Sequence, residues 1–229
     1  MNEPTSPPPP LLAGGPAERR SPAYRIVADF ERAMADFCGA PHAVAVESCS
    51  AALFLSAVYC HVAATAEVHV PSRTYPSVPA AIIHAGGRVR FEDVDWQATG
   101  WYGLAPTPII DSAKYLARGM YPAFPHASPL VCLSFHAHKT LGVGRGGMVL
   151  CADPEAAAWL RLARFSGRHE APLAEDRLTM IGWDMYLTPE QAARGLELMQ
   201  WLPERRICEP EPYQDLSRYE MYRRANREP

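Results

Sequence analysis

Apolar residues recur at helical spacing from Tyr24 to Cys38, where Ile26, Phe30, Met34 and Phe37 share one face. That spacing predicts an amphipathic helix, and Gly39 and Pro41 end it. "HAVAVES" (42–48) then predicts a short strand, and "SCSAALFLSAVYCHVAA" (48–64) a helix capped by serine. "EVHVP" (67–71) predicts a second strand. "YPSVPAAIIHAGG" (75–87) predicts a helix that stops at glycine, with Pro76 and Pro79 suited to a first turn. "RVRFEDV" (88–94) predicts another strand, and "DWQATGWYGLAPT" (95–107) is turn-like. Three short apolar runs follow, "PIIDSA", "LVCLSFH" and "GGMVLCA", each predicted as a buried strand. "DPEAAAWLRLARFSG" (153–167) predicts a helix with Asp153 at its cap and Gly167 at its end. "TPEQAARGLELMQWL" (188–202) predicts one opened by Thr188 and Pro189.

Strands thus alternate with helices. The alternation predicts an α/β fold, a three-layer α/β/α sandwich around a mainly parallel sheet. No internal repeat is visible. The chain divides into a Pro- and Gly-rich arm over 1–22, read as disordered or extended, an α/β domain over 23–202 and a charged, proline-punctuated tail over 203–229.

Composition narrows the class. A chain of 229 residues, 48% of them hydrophobic, is long enough for one sizeable core and too apolar for wholesale disorder. The net charge of −3 argues against a general nucleic-acid binder. It leaves room for a local basic patch, and "RRICE" and "RYEMYRRANREP" offer faint support for one, although solvated charge is the simpler reading. Six cysteines form no C-x-x-C pair and match no zinc spacing, so reduced, buried thiols are expected. The start of the chain lacks the basic and apolar regions of a signal peptide, and no run approaches membrane-spanning length. A cytoplasmic location is expected.

Three junctions carry candidate chemistry. In "ESCSAAL" a strand runs into a helix start, and Ser50 there is either a simple N-cap or a hydroxyl beside a bound phosphate. In "PIIDSAKY" Asp111 ends an apolar strand; it either caps the next turn or is a buried carboxylate at a strand end, where α/β sheets hold ligands. In "CLSFHAHKTLGVGRGGMVL" Lys139, one of only two lysines, follows a strand and precedes a run of glycines. It is either a surface-loop lysine or an amine that forms a Schiff base with an aldehyde. Ser134, five residues earlier, can reach a phosphate. His136 and His138 form H-x-H without a third ligand at convincing spacing, so no metal is expected. A phosphate cradle, a carboxylate and a lysine in that order suggest pyridoxal 5′-phosphate (PLP).

At these residues the chain resembles the DegT-like sugar aminotransferases, PLP enzymes of the aspartate-aminotransferase fold (fold type I). The resemblance runs from about Ile26 to about Leu202. "FERAMADFCGAPHAVAVESCSAAL" is similar to the family's opening helix, strand and phosphate loop, and "VPSRTYPSVPAAIIHAGGRVRFEDVD" to its next βαβ unit. "SFHAHKTLGVGRGGMV" resembles the lysine motif, and "GWDMYLTPEQAARGLELMQ" the element after the active-site helix. The resemblance implies that Lys139 is the Schiff-base lysine and Asp111 the partner of the pyridine nitrogen. It implies that Ser50, Ala51 and Ser134 hold phosphate and that Tyr75 stacks on the ring. It places Lys114 where the family has a glutamine near the phenolic oxygen, and Cys49 where it has a glycine. Asp184 stands where an asparagine reaches the partner subunit's phosphate, and Tyr186 where an arginine is usual.

The implied protein is a homodimer with a shared site, taking a small-molecule amino donor and a keto-sugar nucleotide acceptor. Two sections of such proteins are missing. One is a strand–helix unit between the segments like "DVD" and "IDSA". The other is most of the C-terminal domain, so a reduced one is expected. Two other readings stay open: a different PLP reaction, decarboxylation or elimination, on a nucleotide-linked or modified-base substrate; and a catalytically inactive remnant of the fold.

Overall fold

A computed structural model describes residues 22–64 and 67–225. The arm expected over 1–22 lies outside them except for its last residue. Nine strands and six α-helices are described: β1 (His42–Val46), β2 (Val68–Pro71), β3 (Val89–Glu92), β4 (Tyr102–Gly103), β5 (Ile109–Asp111), β6 (Tyr115–Ala117), β7 (Leu130–Ser134), β8 (Gly147–Cys151) and β9 (Arg205–Ile207), with α1 (Arg25–Cys38), α2 (Cys49–Tyr59), α3 (Ser77–His84), α4 (Pro154–Ala163), α5 (Pro189–Met199) and α6 (Glu220–Ala225).

The helices form where the apolar period placed them. Gly39 adopts φ +71°, a left-handed conformation that closes α1. Asp153 caps α4 by accepting from Glu155 N. Thr188 and Gln191 exchange hydrogen bonds in a capping box that opens α5.

Five strands form the central sheet in the order β1-β8-β7-β5-β4. Both of its faces are buried. Val44, Val46, Ile109, Cys132, Val149 and Cys151 join the core shared with α2, α3 and α4. Their alternating neighbours Ala43, Ala45, Ile110, Val131, Met148 and Leu150 join the core shared with α1 and α5. This period of two, with helices on either side, is the expected three-layer arrangement.

The sheet itself is mixed rather than mainly parallel. β7 pairs with β5 in parallel, but β8 is antiparallel to both β1 and β7, and β4 is antiparallel to β5. A parallel neighbour needs a crossover connection, usually a helix. The glycine-rich turn between β7 and β8 contains no helix, so β8 folds straight back. β4 likewise reaches β5 through a short loop. Only β2 and β3, joined by α3, keep a separate parallel βαβ pair.

Residues 205–225 of the segment read as a charged tail lie across the molecule. β9 pairs antiparallel with β6. Cys208 N donates to Lys114 O at 2.8 Å, and Leu216 N donates to Ser72 O at 2.8 Å. Tyr222 of α6 packs edge-on against Phe91, with centroids 5.6 Å apart. Among the described residues no helix is long and apolar enough to cross a membrane.

Candidate active site

β1, β5 and β7 run in the same direction, so their carboxyl ends lie along one edge of the sheet. Each end delivers one of the predicted junctions: β1 leads into α2, β5 ends at Asp111, and β7 leads into the turn that carries Lys139.

The start of α2 is capped by Ser48 rather than Ser50. Ser48 Oγ accepts from Ala51 N at 3.0 Å, and Ser50 Oγ instead donates to Ser77 Oγ at 2.7 Å. The extended backbone of Ser48 aims its hydroxyl back over the first turn, whereas Ser50 is already helical. The first-turn amides of Cys49 and Ser50 have no intrahelical acceptor. Gly147 of β8 lets the helix start cross close by: a Cβ on it would fall 2.4 Å from Ser48 C.

Asp111 is buried and doubly held. Tyr102 donates its hydroxyl to Oδ2 at 2.6 Å, and Ala113 N donates to Oδ1 at 3.0 Å. Thr74 Oγ1 lies 2.5 Å from the Tyr102 oxygen. Burial pushes the Asp111 carboxyl above its ordinary range; the Tyr102 hydrogen bond, the Ala113 amide and the charge of Lys139 all pull against this. Burial also pushes the Cys49 thiol well up. Asp111 and Cys132 add to that, and Lys139 opposes it. Cys49, Asp111 and Lys139 therefore share one electrostatic neighbourhood.

The chain's two lysines meet at a carboxylate. Lys139 Nζ lies 3.5 Å and Lys114 Nζ 3.4 Å from the same oxygen, Glu211 Oε1. Lys114 is 1% exposed and Lys139 15%, so neither extends freely into solvent. Lys114 Nζ also donates to Glu209 O and stands 5.5 Å from the centre of the Tyr213 ring. Tyr213 stacks on Trp96 at 5.7 Å, and Trp96 packs on Tyr102 at 4.8 Å. A continuous aromatic wall thus links the lysine pair to Asp111. Partial burial raises the proton affinity of Glu211, but Lys139 and then Lys114 overcome it and hold its carboxyl below the usual range.

The remaining predicted residues are less engaged. Ser134, at the end of β7, accepts from His136 N at 3.4 Å and lines a small cavity with Ser112, Ala113 and Thr140. Tyr75 is 59% exposed, outside the buried cluster. Asp184 is exposed and bridges to Phe165 through the backbone. Tyr186 packs on Tyr24 and Phe165. Sequence reasoning missed Thr74, Tyr102, Glu211 and Tyr213. Tyr102 faces Asp111 only through the register of β4 on β5. Glu211 sits in the aperiodic run "EPEPY", which carries no local signal.

The sequence matches the model of the DegT/DnrJ/EryC1/StrS aminotransferase family over residues 19–100 and 126–215. The chain belongs to that family. Lys139 and the start of α2 fall inside the matched segments, whereas Asp111 and Lys114 fall in the stretch between them. The chain is 26% identical over 216 residues to GDP-perosamine synthase of Caulobacter vibrioides, which covers 79% of this chain and 58% of that one. It is 28% identical over 181 residues to the spore coat polysaccharide biosynthesis protein SpsC of Bacillus subtilis, covering 63% and 46%. The chain therefore spans only about half the length of these relatives.

The fold is similar to that of Spr1654 from Streptococcus pneumoniae in its PLP form, with a TM-score of 0.62 at 17% identity over 78% of this chain and 59% of that one. It is also similar to 3-amino-5-hydroxybenzoic acid synthase, with a TM-score of 0.61 at 24% identity over 77% and 56%. The chain thus has the fold-type-I architecture in shortened form, as its sequence implies.

Proposed function

We propose that this family member is a PLP-dependent aminotransferase in which Lys139 takes the aldehyde and Asp111 meets the pyridine nitrogen. One observation carries the reading: the helix start, the buried carboxylate and the lysine sit at the carboxyl ends of three strands that run the same way, on one edge of the sheet. The donor set suits the cofactor. The first-turn amides of α2 and the hydroxyls of Ser50 and Ser134 suit a phosphate. Asp111, already held by Tyr102 and Ala113, presents a fixed carboxylate to a ring N–H. When bound, PLP supplies the electron sink for amino transfer.

The chain's own residues do the rest. Lys139 accepts and returns the substrate proton as general base. Asp111, once it meets a cationic N–H, is stabilised as the ion that burial otherwise disfavours. Trp96 and Tyr102 exclude water from one side. Lys114 and the exposed Tyr75 stand by for the ligand's oxygen and ring. Asp184 faces a partner subunit in the proposed homodimer. By analogy with the sugar-directed relatives, the acceptor is a keto-sugar nucleotide and the donor a small amino compound. Six free cysteines fit a reducing compartment, the cytoplasm.

A second reading, a remnant that no longer binds the cofactor, draws on the Glu211 contact to both lysines. The two are separated by long incubation of wild-type protein and a Glu211→Gln variant with PLP, followed by borohydride reduction and peptide mapping. The label is expected on Lys139. A label on Lys114, or on neither lysine in either protein, overturns the proposal.

A further inference from the structure

The segment after β9 has no role in that reading, yet it reaches the centre of the site. Its anchors are spread along its length. Cys208 N bonds to Lys114 O, and the Cys208 thiol lies 3.7 Å from Thr140 Oγ1, one residue beyond Lys139. Glu209 O accepts from Lys114, and Glu211 N donates to Gln97 Oε1 at 2.7 Å. Tyr213 stacks on Trp96, and Leu216 N bonds to Ser72 O. Between these anchors, the half-exposed Glu211 carboxylate closes on the only two lysines of the chain.

An ammonium held against a carboxylate must leave that contact before its nitrogen can attack an aldehyde, and Glu211 Oε1 lies 3.5 Å from Lys139 Nζ. Partly exposed ion pairs contribute little stability, so this one can open.

We propose that residues 208–216 form a strap that competes with the aldehyde cofactor for Lys139, with Glu211 as its latch. The inference rests on Lys139 being the cofactor lysine. An incoming phosphorylated aldehyde reaches Lys139 after Glu211 withdraws, and the strap's amides at Cys208 and Leu216 lose their acceptors as it lifts. Tyr213 holds the latch in register by stacking on Trp96 and donating its amide to Glu211 O at 2.9 Å.

The test begins without cofactor. Acetic anhydride is applied in limiting amount to folded wild-type, Glu211→Gln and Tyr213→Ala proteins at pH 8, and acetylation of Lys139 is followed by peptide mass. Both variants should modify Lys139 about fivefold faster or more, the factor that a 1 kcal/mol latch gives. An unchanged rate in Glu211→Gln overturns the latch; if that variant does not fold, an unchanged rate in Tyr213→Ala does so. Hydrogen exchange is then measured with and without PLP. Exchange at the Cys208 and Leu216 amides should quicken when Lys139 is labelled. Amides that stay protected while Lys139 carries the label overturn the lifting strap and leave the proposed function intact. Faster acetylation with no PLP label in any protein overturns the proposed function and leaves the latch intact.

Discussion

Asp111 shows a conflict between stability and use within one side chain. Its folded carboxyl binds a proton more tightly than an unfolded aspartate would, chiefly through burial. Ionising it therefore withdraws stability as pH rises from the ordinary aspartate range, about 3.9, through the raised folded value. Asp111→Asn removes that penalty. The amide oxygen can still accept from Ala113 N, and the Tyr102 hydroxyl can turn to accept from the amide and donate to Thr74. Thermal midpoints should show the variant gaining on wild type at pH 7 and not at pH 3.5, while PLP retention falls at least tenfold. Equal midpoints at pH 7 would mean that the carboxylate is better solvated than its burial indicates. Asp111 and Lys139 stood out as candidates in the sequence because a charge after an apolar strand is costly without a purpose. Glu211 and Tyr102 were not, since each acquires its partner from segments distant in the chain. Cys49 was visible as a departure from glycine, but its place beside Asp111 and Lys139 comes only from the fold.

At the scale of elements, the helical period located α1, α4 and α5 closely, because each carries an apolar face over ten or more residues. The helix read over 48–64 ends earlier, at Tyr59, because α2 is apolar nearly all round and gives no such period. β4, β6 and β9 are two or three residues long, too short to show an alternation. Strand direction was also out of reach, since β8 has the same local pattern whichever way it runs. Its hairpin with β7 nonetheless shapes the site, because Gly147 at its start leaves room for the capped end of α2. A Cβ at Gly147 would press on the Ser48 backbone, which cannot move as a flexible side chain can. Gly147→Ala should therefore cost about 1–3 kcal/mol in denaturant unfolding. It should also weaken PLP retention, because the shift falls on the cap that orders the phosphate cradle. Lost stability with unchanged PLP affinity would show that the α2 start is not the phosphate seat.

The chain covers about half of its relatives' length and still closes both faces of its sheet. The family match omits the short connection that carries β4, β5 and β6, which is where a strand–helix section was expected to be missing. β4 takes the place beside β5 at the end of the sheet, and β9 adds a pairing partner to β6. Several large apolar side chains stand at the surface. Ile181 is 92% exposed and Trp201 81%, and Leu173 and Leu178 are each more than 60% exposed. Leu173, Leu178 and Ile181 flank the stretch that leads to Asp184, where the proposed partner subunit would meet the site. Exposed large apolar groups are a common mark of an interface, and a second copy of the chain can cover them symmetrically. Light scattering of the purified protein should thus report twice the chain mass. Ile181→Asp should shift it toward the monomer and loosen PLP together, because the site loses its second wall. A wild-type monomer that retains PLP through gel filtration would show that one subunit completes the site alone, with Trp96 and Tyr102 serving in place of a partner.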